Sequence, residues 1–145
     1  MDLYFDSSSL VKYFQEEKGS RKVNNLIKSQ SNEIYISELS KLEIMSSVYR
    51  KCRYNEIDND DITDIIESME RIIEEFHIEP INSTVINETK DILKNIGGDI
   101  LIRSLDAIHL ATFQLISDEN YKFVSNDNTQ TAAADILGIN TIRPK

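Results

Sequence analysis

The apolar positions change period repeatedly along the chain, and the changes divide it into short strands and amphipathic helices. Leu3-Tyr4-Phe5 is a brief continuous apolar run ending at Asp6, which reads as a buried strand. Asp6, or one of Ser7, Ser8 and Ser9, is suited to cap a helix carrying Leu10, Val11 and Phe14. Gly19-Ser20 breaks that helix and begins another, with Val23, Leu26 and Ile27 on one face. Ile34-Tyr35-Ile36 is a second short strand, closed by Ser37. From Ser37 to Tyr54, Leu39, Leu42, Val48 and Tyr49 recur at helical spacings. After an Asp/Asn-rich turn, Ile62, Ile65, Ile66, Met69, Ile72, Ile73 and Phe76 form the clearest helical stripe. Ile78 to Ile81 is a short extended piece. Val85 to Ile96 is a helix stopped by Gly97-Gly98, and Ile102 to Ile116 is helical again. Phe123-Val124 is a strand, Thr129 to Leu137 a helix ended by Gly138, and Asn140 to Ile142 a last strand. Short apolar strands alternating with helices predict an α/β fold of three layers, a mainly parallel sheet flanked by helices.

Composition narrows the setting. A chain of 145 residues with no Pro/Gly/Ser-rich linker, repeat or low-complexity tract is expected to form one domain over residues 1–145. No apolar run approaches the ~20 residues of a membrane helix, and the first residues lack the basic start and apolar core of a signal peptide. A membrane role is not expected. Cys52 is the single cysteine, so no internal disulfide forms and a cytoplasmic setting is expected. Cys52 reads as a small, partly buried helix residue. The net charge of −9 argues against a broad electrostatic grip on nucleic acid. It leaves room for a carboxylate site that repels phosphate only until cations fill it.

In parallel sheets, function gathers beyond the carboxyl ends of the strands. Asp6 directly follows the first strand, and Asp127 follows Phe123-Val124-Ser125-Asn126. A strand-end aspartate is equally a helix cap, so for Asp6 alone capping and catalysis stand level. Glu43 sits among Leu42, Ile44 and Met45, an apolar setting for a charge; seven residues on, Arg50 shares its helix face, so a bridged structural ion-pair face is the alternative. Arg103, Asp106 and His109 follow at i, i+3 spacing and make a polar strip on an otherwise apolar helix. The structural alternative there is a buried Arg103–Asp106 pair, with His109 as a packed helix residue.

The segments Tyr4-Phe5-Asp6-Ser7-Ser8-Ser9-Leu10-Val11-Lys12, Ile36-Ser37-Glu38-Leu39-Ser40-Lys41-Leu42-Glu43 running on to Arg50, Leu105-Asp106-Ala107-Ile108-His109-Leu110-Ala111, and Phe123-Val124-Ser125-Asn126-Asp127 with Ala132-Ala133-Ala134 and Leu137-Gly138-Ile139 together resemble the PIN domain. Within that family they resemble the VapC-type toxins, in order and over nearly the whole chain. The resemblance implies a metal-dependent ribonuclease in which Asp6, Glu43, Asp106 and Asp127 gather around one or two divalent ions. It implies Asp6, Asp106 and Asp127 as the direct ligands with Glu43 close by, and products ending in a 5′-phosphate and a 3′-hydroxyl. Hard oxygen donors without Cys or His favour Mg²⁺ or Mn²⁺ over Zn²⁺. Ser8 is placed to hydrogen-bond a ligand carboxylate. Lys12, Lys41, Arg50 and Arg103 are the candidate RNA contacts. The resemblance also implies a homodimer, and a cognate antitoxin whose segment lies across the active-site groove.

Other readings share parts of this pattern. A PIN-fold nuclease outside toxin–antitoxin pairs could act on other nucleic acid, and the acids do not distinguish DNA from RNA. A catalytically silent PIN-fold module for interaction or regulation would keep the fold alone. A receiver domain could use Asp2 and Asp6, but Phe123-Val124-Ser125-Asn126 supplies no lysine. An aspartyl phosphatase wants a second Asp two residues after the first, and Ser8 stands there.

Overall fold

Five strands form one parallel sheet in the computed structural model, which describes residues 1–145. They are β1 (Asp2–Phe5), β2 (Glu33–Ser37), β3 (His77–Glu79), β4 (Tyr121–Val124) and β5 (Thr141–Ile142), in the order β3-β2-β1-β4-β5. Every neighbouring pair is parallel. Between them run α1 (Ser7–Phe14), α2 (Ser20–Lys28), α3 (Leu39–Arg53), α4 (Ile62–Ile73), α5 (Ser83–Ile96), α6 (Ser104–Ile116) and α7 (Asn128–Ile136).

Successive strand side chains point to opposite faces, so the continuous apolar run of β1 feeds two cores. Leu3 and Phe5 join Leu10 of α1, Val23 of α2, Ile44 and Val48 of α3, and Ile66 and Met69 of α4. Tyr4, between them, joins the other core with Ile92 and Ile96 of α5, Leu110 of α6, and Phe123 of β4. Ala107 and Ala111 of α6 and Ala133 and Ala134 of α7 are buried there too, and their small size lets both helices approach the sheet closely. The result is the expected three-layer arrangement, with α1 to α4 on one face and α5 to α7 on the other.

Element ends differ from the sequence expectation where local chemistry overrides periodicity. α3 begins at Leu39, because Ser37 completes β2 and its hydroxyl accepts the Leu39 N–H at 3.1 Å. α6 begins at Ser104 rather than Ile102, with Arg103 extended at its N-cap. The apolar residues ahead of it approach the helix as a connector, where Leu101 is 92% exposed. α4 stops at Ile73, yet Phe76 still packs into the first core. Gly138, at φ +73, follows α7 in the left-handed region that an L side chain resists.

The strand order reverses beside β1. From β1 the chain proceeds to β2 on one side, while β4 is laid against its other side. A crevice therefore opens at the carboxyl ends of β1 and β4, the place where open parallel sheets bind ligands.

Candidate active site

That crevice is an open cleft of about 580 Å³, and Asp6, Glu43, Asp106 and Asp127 all line it, with Ser8, Arg50, Arg103 and His109. Each acid comes from a different element. Asp6 leaves β1 and caps α1, accepting the Ser9 N–H at 3.0 Å. Asp127 follows β4 and caps α7, accepting the Gln130 N–H at 2.8 Å. Glu43 projects from α3, and Asp106 lies in the first turn of α6. For Asp6 and Asp127 the capping reading is therefore true, and it is compatible with a place in the cleft, because one cap bond leaves acceptor sites on the same carboxylate.

Asp6 is 3% exposed and accepts three hydrogen bonds, two at Oδ1 and one at Oδ2, which leaves acceptor capacity on Oδ2. Ser8 Oγ donates to Oδ1 at 2.8 Å, and Ser125 Oγ donates to Oδ2 from the end of β4. Burial pushes the Asp6 carboxyl above the usual aspartate range, against the opposing pull of His109, Ser125, Ser8 and Ser9. Burial and the neighbouring charge of Asp127 hold Asp106 above its ordinary value, with Arg103 acting the other way. Burial also works to raise Glu43, but His109, Ser7 and Arg103 outweigh it and carry that carboxyl below its ordinary value. Like charges thus crowd one wall of the cleft, between Asp106 and Asp127, while Glu43 is tied down by donors.

The residues matched by the PIN domain family run from 3 to 136, nearly the full chain. The chain belongs to the PIN domain family. No curated protein matches it by sequence. Among solved structures, FitAcB from Neisseria gonorrhoeae superposes with a TM-score of 0.75 at 17% identity, covering 98% of this chain and 97% of that one. VapBC2 from Rickettsia felis, bound to a DNA fragment from its promoter, gives 0.72 at 12% identity and 100% coverage of both chains. VapC20 from Mycobacterium tuberculosis, described as a sarcin–ricin loop cleaving toxin, gives 0.71 at 14% identity, covering 98% of this chain and 99% of that one. At these identities the likeness concerns the fold.

Two ion-pair alternatives are absent from this PIN domain. The Arg103 side chain is 84% exposed and stands 3.7 Å from Asp106, a surface contact and not a buried pair. Arg50 is exposed and makes no salt bridge, so Glu43 is not part of an ionic face with it. Of the candidate RNA contacts, Arg50 and Arg103 line the cleft, whereas Lys12 and Lys41 do not. The Lys12 ammonium is taken by Glu17 Oε1 at 3.0 Å and the Lys18 carbonyl at 2.7 Å. Lys41 borders a separate groove between α3 and α4, beside Met45, Met69 and Glu74.

Three residues of the site were not foreseen from sequence as parts of it. Ser7 donates to Glu43 Oε1 at 2.7 Å, Ser125 reaches Asp6, and buried His109 reaches Glu43 at 2.6 Å. A signal existed for Ser7, whereas Ser125 reaches Asp6 only through the pairing of β4 with β1. Consecutive residues on the first turn of a helix point about 100° apart, so Ser7 and Ser8 could not both serve the same carboxylate.

The donor set suits a hard divalent cation: four carboxylates line the cleft, and the charge of Asp127 already works against ionisation of Asp106. No three His, Cys, Asp or Glu side chains stand close enough together to hold a metal ion between them directly. An ion held here would therefore keep several waters, as Mg²⁺ commonly does.

No helix is long and apolar enough to cross a membrane.

Proposed function

We propose that this PIN domain is a Mg²⁺- or Mn²⁺-dependent endoribonuclease and the toxin of a VapBC-type toxin–antitoxin pair. The observation that carries the reading is the arrival of Asp6, Glu43, Asp106 and Asp127, from four separate elements, in one cleft at the point where strand order reverses. Asp6, Asp106 and Asp127 would hold the ion, directly or through water, with Glu43 beside them. A divalent ion held there would supply a water of lowered pKa and offset negative charge on the leaving oxygen. The protein does the rest. Ser8 and Ser125 fix the orientation of Asp6, and Asp127 is fixed by its bond to α7. Arg103 and Arg50, at the cleft, hold the phosphodiester against the acidic wall. With a net charge of −9, these local cations rather than a broad basic surface would position the RNA.

RNA is favoured as substrate by the structural likeness to a toxin described as cleaving the sarcin–ricin loop, and an antitoxin partner by the likeness to VapBC and FitAcB. We assign the protein to the cytoplasm and to a homodimer on the same family grounds. Purified protein should cleave single-stranded or loop RNA with Mg²⁺ or Mn²⁺ and stop on addition of EDTA. Cleavage that survives thorough chelation would overturn the metal mechanism.

A further inference from the structure

His109 is the one imidazole near the acids, and no step of the proposed mechanism uses it. It is 2% exposed, one helical turn after Asp106 on α6, among residues that are otherwise apolar. A buried imidazole must satisfy both ring nitrogens. Here Nε2 lies 2.6 Å from Glu43 Oε1, and Nδ1 lies 2.7 Å from the hydroxyl of Tyr4, a fully buried residue of β1. An ionised carboxylate only accepts, so the proton of this contact sits on Nε2. In the neutral ring Nδ1 is then an acceptor, and the Tyr4 hydroxyl donates to it.

The same Glu43 oxygen also receives the Ser7 hydroxyl at 2.7 Å, whereas no protein donor reaches Oε2. The carboxylate is thereby divided: Oε1 is committed to the protein and Oε2 is left for the ion or its water. A glutamate on a helix has three side-chain torsions and wanders unless tethered. Resting on the nuclease reading of the cleft, we infer that His109 is a positioning residue: its Nε2–H, oriented by Tyr4, holds Glu43 in place and couples α6, which carries Asp106, to α3.

The test combines a spectrum of the metal-free protein with kinetics. Long-range ¹H–¹⁵N spectra of histidine-labelled, EDTA-treated protein should show His109 protonated on Nε2, and Tyr4→Phe should disturb that pattern. A proton on Nδ1 alone would overturn the inference whether or not the protein cleaves RNA. In Mn²⁺-dependent RNA cleavage, His109→Leu should lower kcat about 10–100-fold, as loss of an outer-shell partner usually does, with KM for RNA little changed. His109→Gln, which keeps a donor, should recover most of the loss. Adding His109→Leu to Glu43→Gln should cost nothing more, since the tether would have nothing left to hold. A folded His109→Leu with parental kcat, or a loss that multiplies with that of Glu43→Gln, would reduce His109 to a core residue. Should the leucine variant not fold, Tyr4→Phe carries the kinetic arm: lowered kcat is expected, and parental kcat with an unchanged imidazole spectrum overturns the tether. An inactive parent would instead sink the nuclease reading, and the spectrum would still decide the tether.

Discussion

A carboxylate in this cleft can be told from a structural one by what happens when its charge is removed. Asp106 is held above its ordinary pKa by burial and by Asp127, so ionising it at neutral pH costs the metal-free fold something. Asp106→Asn keeps the shape and removes that cost, and in EDTA it should be as stable as the parent or more so. The pH dependence follows in sign. The folded parent binds this proton at higher pH than the unfolded chain does, so its disadvantage exists at neutral pH and fades as pH falls through the raised folded value. The stability gap between variant and parent should therefore close on acidification. Mn²⁺ should restore the parent, by about 2.7 kcal/mol at a free concentration 100 times the dissociation constant, and help the variant much less. Denaturant unfolding of both proteins, with EDTA and with Mn²⁺, measures all of this. A variant strongly destabilised in EDTA, beside a parent indifferent to Mn²⁺, would make the acids structural. At this scale the acids were legible because each stands at a strand end or interrupts an apolar helix face. Lys12 misled because its partner Glu17 is a product of the α1–α2 turn, and no spacing rule reveals that an ammonium is already taken.

At the scale of elements, the two strand-end aspartates each hold a helix by its first turn, so substitutions there confound folding with chemistry. Asp127→Ser separates them. Serine caps about as well as aspartate, whereas losing the cap altogether, as in Asp127→Ala, typically costs ~1 kcal/mol. Asp127→Ser should thus melt close to the parent and lose cleavage, while Asp127→Ala should lose both. If the serine variant cleaves RNA at the parental rate, Asp127 is a cap only. Every strand and helix expected from periodicity is present, because long apolar stripes and Gly stops act locally. The start of α6 was misplaced for a reason periodicity cannot see. Ile102 continues the apolar run of the helix, but it packs against the second core from the connector ahead of Ser104. That shift takes Arg103 out of the helix and into the cleft wall, where it is an exposed cation beside Asp106 and not half of a buried ion pair.

For the molecule as a whole, the reading predicts that expression without a partner arrests growth of a host containing the RNA target. Asp6→Asn should relieve the arrest at equal protein level, by colony counts alongside immunoblots; an Asp6→Asn protein as toxic as the parent would refute the site. The sheet has a further consequence. Asp6 and Ser125 are hydrogen-bonded across 119 positions of sequence, and β1 finds its neighbour β4 only after all the intervening helices have been made. Such long-range pairing comes late in folding. A growing polypeptide that already contains Asp6, Glu43 and Asp106 has no β4 to carry Ser125 and Asp127 to them. Synthesis itself thus acts as a safety catch: a chain stalled or cut short before residue 121 lacks one wall of the cleft, and the catch is released only when the last strands fall into place.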